Sequence, residues 1–131
     1  MEGMAKKFVF NKVVFDSSWE MAYYFHLQRN HINFEFHPNE FLEYKFNGIK
    51  HRYFPDFKIN GKYVEIKGDY WYSLMLEENT VNNAKLKCME DNNVKILLEK
   101  DMVEYIKEFE RYNGNCYQYR KKRNLYDIRR T

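Results

Sequence analysis

The chain has 131 residues, the length of one domain, with a formal net charge of +3 and a mean hydropathy of -0.82. Tyr, Phe and Trp make up 19% of it, enough large side chains for a core that needs no disulfide or metal staple. No apolar run is long enough to span a bilayer, and Lys6, Lys7, Asn11 and Lys12 interrupt the apolar centre that a signal peptide requires. A soluble intracellular protein is expected, and Cys88 and Cys116, without CxxC spacing, read as free thiols.

Phe8 to Phe15 is apolar and β-branched and predicts a short strand or extended entry. Ser17 and Glu20 have capping-box spacing, and Trp19, Tyr23 and Leu27 continue a helix that should end near Asn30. Ile32 to His37 alternates apolar and polar residues, as a half-buried strand does. Pro38-Asn39 breaks it. Phe41 to Phe46 forms a second strand closed by Asn47-Gly48, and His51 to Ile59 a third. Asn60-Gly61 is a strong hairpin signal, and Lys62 to Lys67 is the fourth strand, ended by Gly68. A loop carrying Tyr70, Trp71 and Tyr72 leads to a helix from about Glu77 to Asp91, with Val81, Ala84, Leu86, Cys88 and Met89 on its apolar side. Val94 to Leu98 reads as a short buried strand. Asp101 caps a last helix with Val103, Ile106 and Phe109 on one side. The predicted architecture is α/β or α+β, a mixed sheet covered by helices.

From Asn113 to Thr131 there are six Lys or Arg against one acid, so this tail carries all of the net positive charge. Interleaved with Tyr117, Tyr119 and Tyr126, it suits a polyanion or is simply solvated. The expected division is a domain over residues 1–112 and a basic tail over 113–131.

The chemistry concentrates at the Asn60-Gly61 hairpin. A two-residue turn sets Ile59 opposite Lys62, Phe57 opposite Val64, Asp56 opposite Glu65 and Pro55 opposite Ile66. Opposed residues share a face and side chains alternate along a strand. Phe57, Val64, Pro55 and Ile66 therefore form one face, and Asp56, Glu65 and Lys67 the other. Two neighbouring carboxylates repel unless a cation lies between them, and hard oxygen donors suit Mg²⁺ or Mn²⁺. A lone E-x-K on a solvated face is usually an ordinary ion pair. Here Asp56 makes the set denser, and the arrangement suits phosphodiester cleavage.

Tyr53-Phe54-Pro55-Asp56-Phe57 and Tyr63-Val64-Glu65-Ile66-Lys67-Gly68 resemble the PD…ExK signature of the PD-(D/E)xK, restriction-endonuclease-like superfamily. Phe15-Asp16-Ser17-Ser18-Trp19-Glu20 resembles the S-x-W-E helix start of its phage-encoded members, which include Holliday-junction resolvases and homing-type endonucleases. The resemblance covers roughly residues 13 to 99. It implies a restriction-endonuclease-like core and an Mg²⁺- or Mn²⁺-dependent DNA endonuclease leaving 5′-phosphate and 3′-hydroxyl ends, in a bacterial or phage-infected cytoplasm. Asp56 and Glu65 would be metal ligands, helped by the main-chain carbonyl of Ile66. Lys67 would stabilise developing charge or position water, and Glu20 would complete the metal shell, in competition with its capping-box role. Similar enzymes bring a basic residue of the following helix to the phosphate, here Lys85 or, less favoured, Lys87. Arg52, in register with Asp56, is a further candidate DNA contact, as are Arg120, Lys121, Lys122 and Arg123 of the tail. His26, His31, His37 and His51 lack metal-binding spacing. DNA is the expected partner, with no membrane, and a homodimer would let one site cut each strand. The competing reading is a non-catalytic DNA-binding module on the same fold.

Overall fold

The computed structural model describes residues 6–122. In chain order its elements are β1 (Phe8–Phe10), β2 (Val13–Phe15), α1 (Ser18–Arg29), β3 (Phe34–Phe36), β4 (Leu42–Phe46), β5 (Ile49–Tyr53), β6 (Phe57–Ile59), β7 (Lys62–Ile66), α2 (Asp69–Met75), α3 (Val81–Asp91), β8 (Lys95–Leu97), α4 (Glu99–Asn113) and a 3-10 turn over Cys116–Tyr119. The fold is mixed α/β, and among the described residues no helix is long and apolar enough to cross a membrane. The chain divides into two compact units, Met1–His26 with Glu104–Thr131, and Leu27–Val103.

In the first unit, β1 and β2 form a hairpin whose turn residues Asn11 and Lys12 have φ of 51° and 67°. Both are left-handed, as a type I′ turn requires. Asn-Lys is a weaker turn signal than Asn-Gly, so the sequence reads there as one extended stretch. The Phe10 ring packs edge-on against Phe25, Phe109 and Tyr119, at centroid distances of 5.8, 5.2 and 5.5 Å. The tail begins as folded chain. Cys116 is buried, Arg120 bridges to Phe8, and Lys121 N–H donates to the Lys7 carbonyl at 2.8 Å. Arg120, Lys121 and Lys122 are exposed, whereas Arg123 and the rest of the basic segment lie outside the described residues.

The second unit is built on a four-stranded sheet in the order β3-β6-β7-β8, beside the separate hairpin β4-β5. β3, β6 and β7 are antiparallel, and β8 is parallel to β7. A parallel pair needs a crossover, and α2 and α3 supply it. Tyr53, Met75, Leu86, Met89 and Val94 form a core cluster, with Leu42, Tyr44 and Ile96 packed on it.

Four predicted elements differ. His51 to Ile59 is not one strand: β5 ends at Tyr53, and β6 begins at Phe57 in a different sheet. Pro55 lacks an N–H and so cannot donate to a continuing ladder. The aromatic segment after Gly68 is the short helix α2 rather than a loop, and Asn83 Nδ2 of α3 ties it down through the Met75 carbonyl at 2.9 Å. Helix α3 starts at Val81 rather than near Glu77, because Thr80 is its N-cap and accepts from Asn83 N–H. In α4, Asp101 reaches back to Leu98 N–H from inside the helix, so the helix starts at Glu99, three residues earlier than a cap at Asp101 would give. Met102 and Phe109 are its buried residues, whereas Val103 is half exposed.

Candidate active site

The hairpin register is as predicted where it is laddered: Phe57 pairs with Val64 and Ile59 with Lys62. The turn residues Asn60 and Gly61 have φ of 50° and 79°, the two left-handed positions of a type I′ turn. Beyond Phe57 the ladder stops. Instead of facing Glu65 through backbone pairing, Asp56 uses its side chain, with Oδ2 accepting from Ile66 N–H at 2.9 Å. That bond holds Asp56 beside β7, which carries Glu65 and ends one residue before Lys67.

Glu65 is 5% exposed. A buried carboxylate is costly unless it is paired and hydrogen-bonded. The Tyr53 hydroxyl donates to its Oε1 at 2.7 Å, and Lys67 Nζ lies 3.2 Å from its Oε2. Tyr53 sits at the end of β5 with its ring in the core and its hydroxyl at the carboxylate. Burial, then the charge and hydrogen bond of Glu65, then the charge of Asp56, hold that phenol far above its ordinary range.

Lys85 of α3 joins the group. Its ammonium lies over the Tyr53 ring, 5.5 Å from the centroid. Burial lowers its pKa, as does Lys67, while Glu65 and Asp56 act in the opposite sense. Two carboxylates and two ammoniums thus share one partly buried place, and their formal charges cancel.

The other candidates fall elsewhere. Lys87, two residues on and about 200° further round α3, is exposed and lines a separate cleft with Glu43, Tyr44, Lys45 and Asp91. Arg52 belongs to the β4-β5 sheet, opposite Glu43, with its guanidinium 4.5 Å from the Phe41 ring centroid. The strand break removes the register that would have put it beside Asp56. By alternation it is the neighbouring Tyr53 that points to Glu65. Glu20 lies in the first unit. Its N–H donates to Ser17 Oγ at 3.1 Å, and its Oε1 accepts from Asp16 N–H at 2.8 Å. That is the capping-box role, shifted by one residue on the return bond.

Tyr53 is the site residue that sequence reasoning missed. A buried tyrosine needs a partner for its hydroxyl, and a tyrosine just ahead of Pro-Asp was the available signal.

Comparison with protein-family models, with curated proteins and with solved structures finds no match.

The donor set suits a hard divalent cation. Asp56 and Glu65 offer carboxylate oxygens, each oxygen with two lone pairs, so a hydrogen bond does not exhaust it. Lys67 and Lys85 already supply the positive charge that the two carboxylates demand.

Proposed function

We propose that this protein is a metal-dependent DNA endonuclease with Asp56, Glu65, Lys67 and Lys85 at its centre, cutting phosphodiester bonds to 5′-phosphate and 3′-hydroxyl ends. The observation that carries the proposal is the convergence of two carboxylates, Asp56 just ahead of β6 and Glu65 in β7, with two lysines, one just past the end of β7 and one from α3. The PD…ExK resemblance supports it independently. A mixed sheet with a parallel last strand is compatible with the restriction-endonuclease-like core that this resemblance implies.

Asp56 and Glu65 would hold an Mg²⁺ or Mn²⁺ ion, with the Ile66 carbonyl as the further ligand implied by the resemblance. When bound, the ion supplies Lewis acidity and a water of lowered pKa. The chain supplies positioning. Tyr53 holds the Glu65 carboxylate in one orientation, and Ile66 N–H does the same for Asp56. Lys67, 3.2 Å from Glu65, would neutralise charge on a phosphate oxygen or position the attacking water. Lys85, already partly stripped of water, meets a phosphate at reduced desolvation cost. Glu20 is not a residue on which the proposal rests, since the structure displays its capping role. The exposed cations of the tail would add phosphate contacts, so DNA affinity should fall steeply with salt. A homodimer is compatible with cutting both strands.

The test is cleavage of supercoiled plasmid and of a labelled four-way junction at low salt, with Mg²⁺, Mn²⁺ or EDTA. Metal-dependent cutting is expected and should vanish in Asp56→Ala. Cutting that survives the substitution would remove this site from the reading. DNA binding without cutting would favour a non-catalytic module.

A further inference from the structure

The strand break ahead of Asp56 turns one ring outward. Phe54 is 58% exposed, although Tyr53 before it and Pro55 after it are buried. Phe41, 43% exposed, lies beside it with ring centroids 5.8 Å apart and planes at 50°. The Arg52 guanidinium is laid on the Phe41 ring, 4.5 Å from its centroid. Single exposed aromatics are ordinary, but adjacent ones with a cation stacked on them form a patch that folding alone does not favour. The patch is also close to the proposed chemistry. Phe54 is two residues from Asp56, which keeps their Cα atoms within about 7 Å.

We propose that Phe41, Phe54 and Arg52 form a stacking platform for an unpaired nucleobase next to the bond to be cut, so that the substrate is DNA with unpaired bases there, single-stranded or branched. This rests on the nuclease reading and names its substrate class. Aromatic faces and guanidinium planes are the groups on which splayed bases stack, and stacking is indifferent to sequence because every base has a π-face. The positive charge of Arg52 complements the phosphates flanking such a base. A base inside a continuous duplex has both faces covered, so the platform has a ligand only where pairing is broken. A second exposed pair, Tyr70 and Trp71, in edge contact at 5.4 Å, lies within one turn of the start of α2 and three and four residues past Lys67. Exposed aromatics thus flank the proposed catalytic residues on both sides along the chain.

The test separates binding from cutting. The full chain carrying Asp56→Ala, in EDTA, is titrated by fluorescence anisotropy against a labelled single-stranded oligonucleotide and against the same sequence as duplex. Tighter binding of the single strand is expected. Adding Phe54→Ala or Phe41→Ala should weaken single-strand binding about tenfold, as loss of one stacked base does, while leaving duplex binding and thermal unfolding unchanged. Phe54→Trp should retain the single-strand affinity. Equal affinity for the two DNAs, equal loss on both, or no binding to either would overturn the platform. Wild-type protein is run in parallel on branched and duplex DNA with Mn²⁺. Selective binding without any cutting would sink the nuclease reading while leaving the platform standing, and cutting without selectivity would do the reverse.

Discussion

Glu65 shows how the site is held at the scale of single residues. Its carboxylate is almost fully buried, and Tyr53 and Lys67 make that tolerable. Removing the tyrosine hydroxyl leaves the ring's packing intact but strips a charged acceptor of one donor. Tyr53→Phe should therefore destabilise the protein by about 1.5 to 3 kcal/mol, the range for hydrogen bonds to charged groups, as read from urea unfolding. An unchanged urea midpoint would mean that Oε1 finds another donor. Glu20 poses a different question, because one carboxylate has two candidate duties. Glu20→Gln keeps an oxygen for Asp16 N–H, so its unfolding should stay within about 0.5 kcal/mol of wild type, whereas Ser17→Ala should lose about 1 kcal/mol with the N-cap. If Glu20→Gln keeps that stability but loses cleavage, the carboxylate's charge matters beyond the helix start.

At the scale of elements, two short signals did most of the positioning. Asn47-Gly48 and Asn60-Gly61 both adopt paired left-handed conformations, and each sets the register of its hairpin. A one-residue slip in the second would move Glu65 to the opposite face. Gly61 has open space around it, so the cost of a side chain there is conformational alone. Gly61→Ala should cost at least about 1 kcal/mol through its φ of 79°, measurable as a lowered thermal midpoint. Strand existence was legible from alternation and turn residues. The break at Pro55 was not read, because the alternating pattern runs through it and only pairing reveals that β5 and β6 belong to different sheets. Helix α2 was missed for a related reason. Its seven residues are too few for helical periodicity to emerge, and only Met75 among them is buried.

At the scale of the whole molecule, burial has a consequence for pH. The Cys116 thiol is pushed up to about 12, first by burial and then by the Glu110 carboxylate. Burial, with Tyr105 secondary, pushes the Tyr23 phenol up to about 12 as well. In the unfolded chain these groups titrate near 9.0 and 10.0. Across that interval the unfolded chain binds fewer protons than the folded one, so stability should fall as pH rises from about 9 to about 12. Urea midpoints measured through this window check it, and a midpoint that stays constant would contradict it. Both cysteines are buried and both thiols are raised, so iodoacetamide at neutral pH should label neither until the chain is unfolded.

By itself the sequence determined the mixed α/β class, the hairpin register at Asn60-Gly61, the two free thiols and the grouping of Asp56, Glu65 and Lys67. Those follow from local rules: a period of two, turn residues that tolerate positive φ, and cysteine spacing. Only the tertiary structure decided that Lys85 rather than Lys87 faces the carboxylates, that Tyr53 holds Glu65, that Arg52 stacks on Phe41, and that the first residues of the basic tail fold against β1. Each of these depends on which face of an element meets a partner distant in the chain, and spacing along the sequence carries no record of that partner.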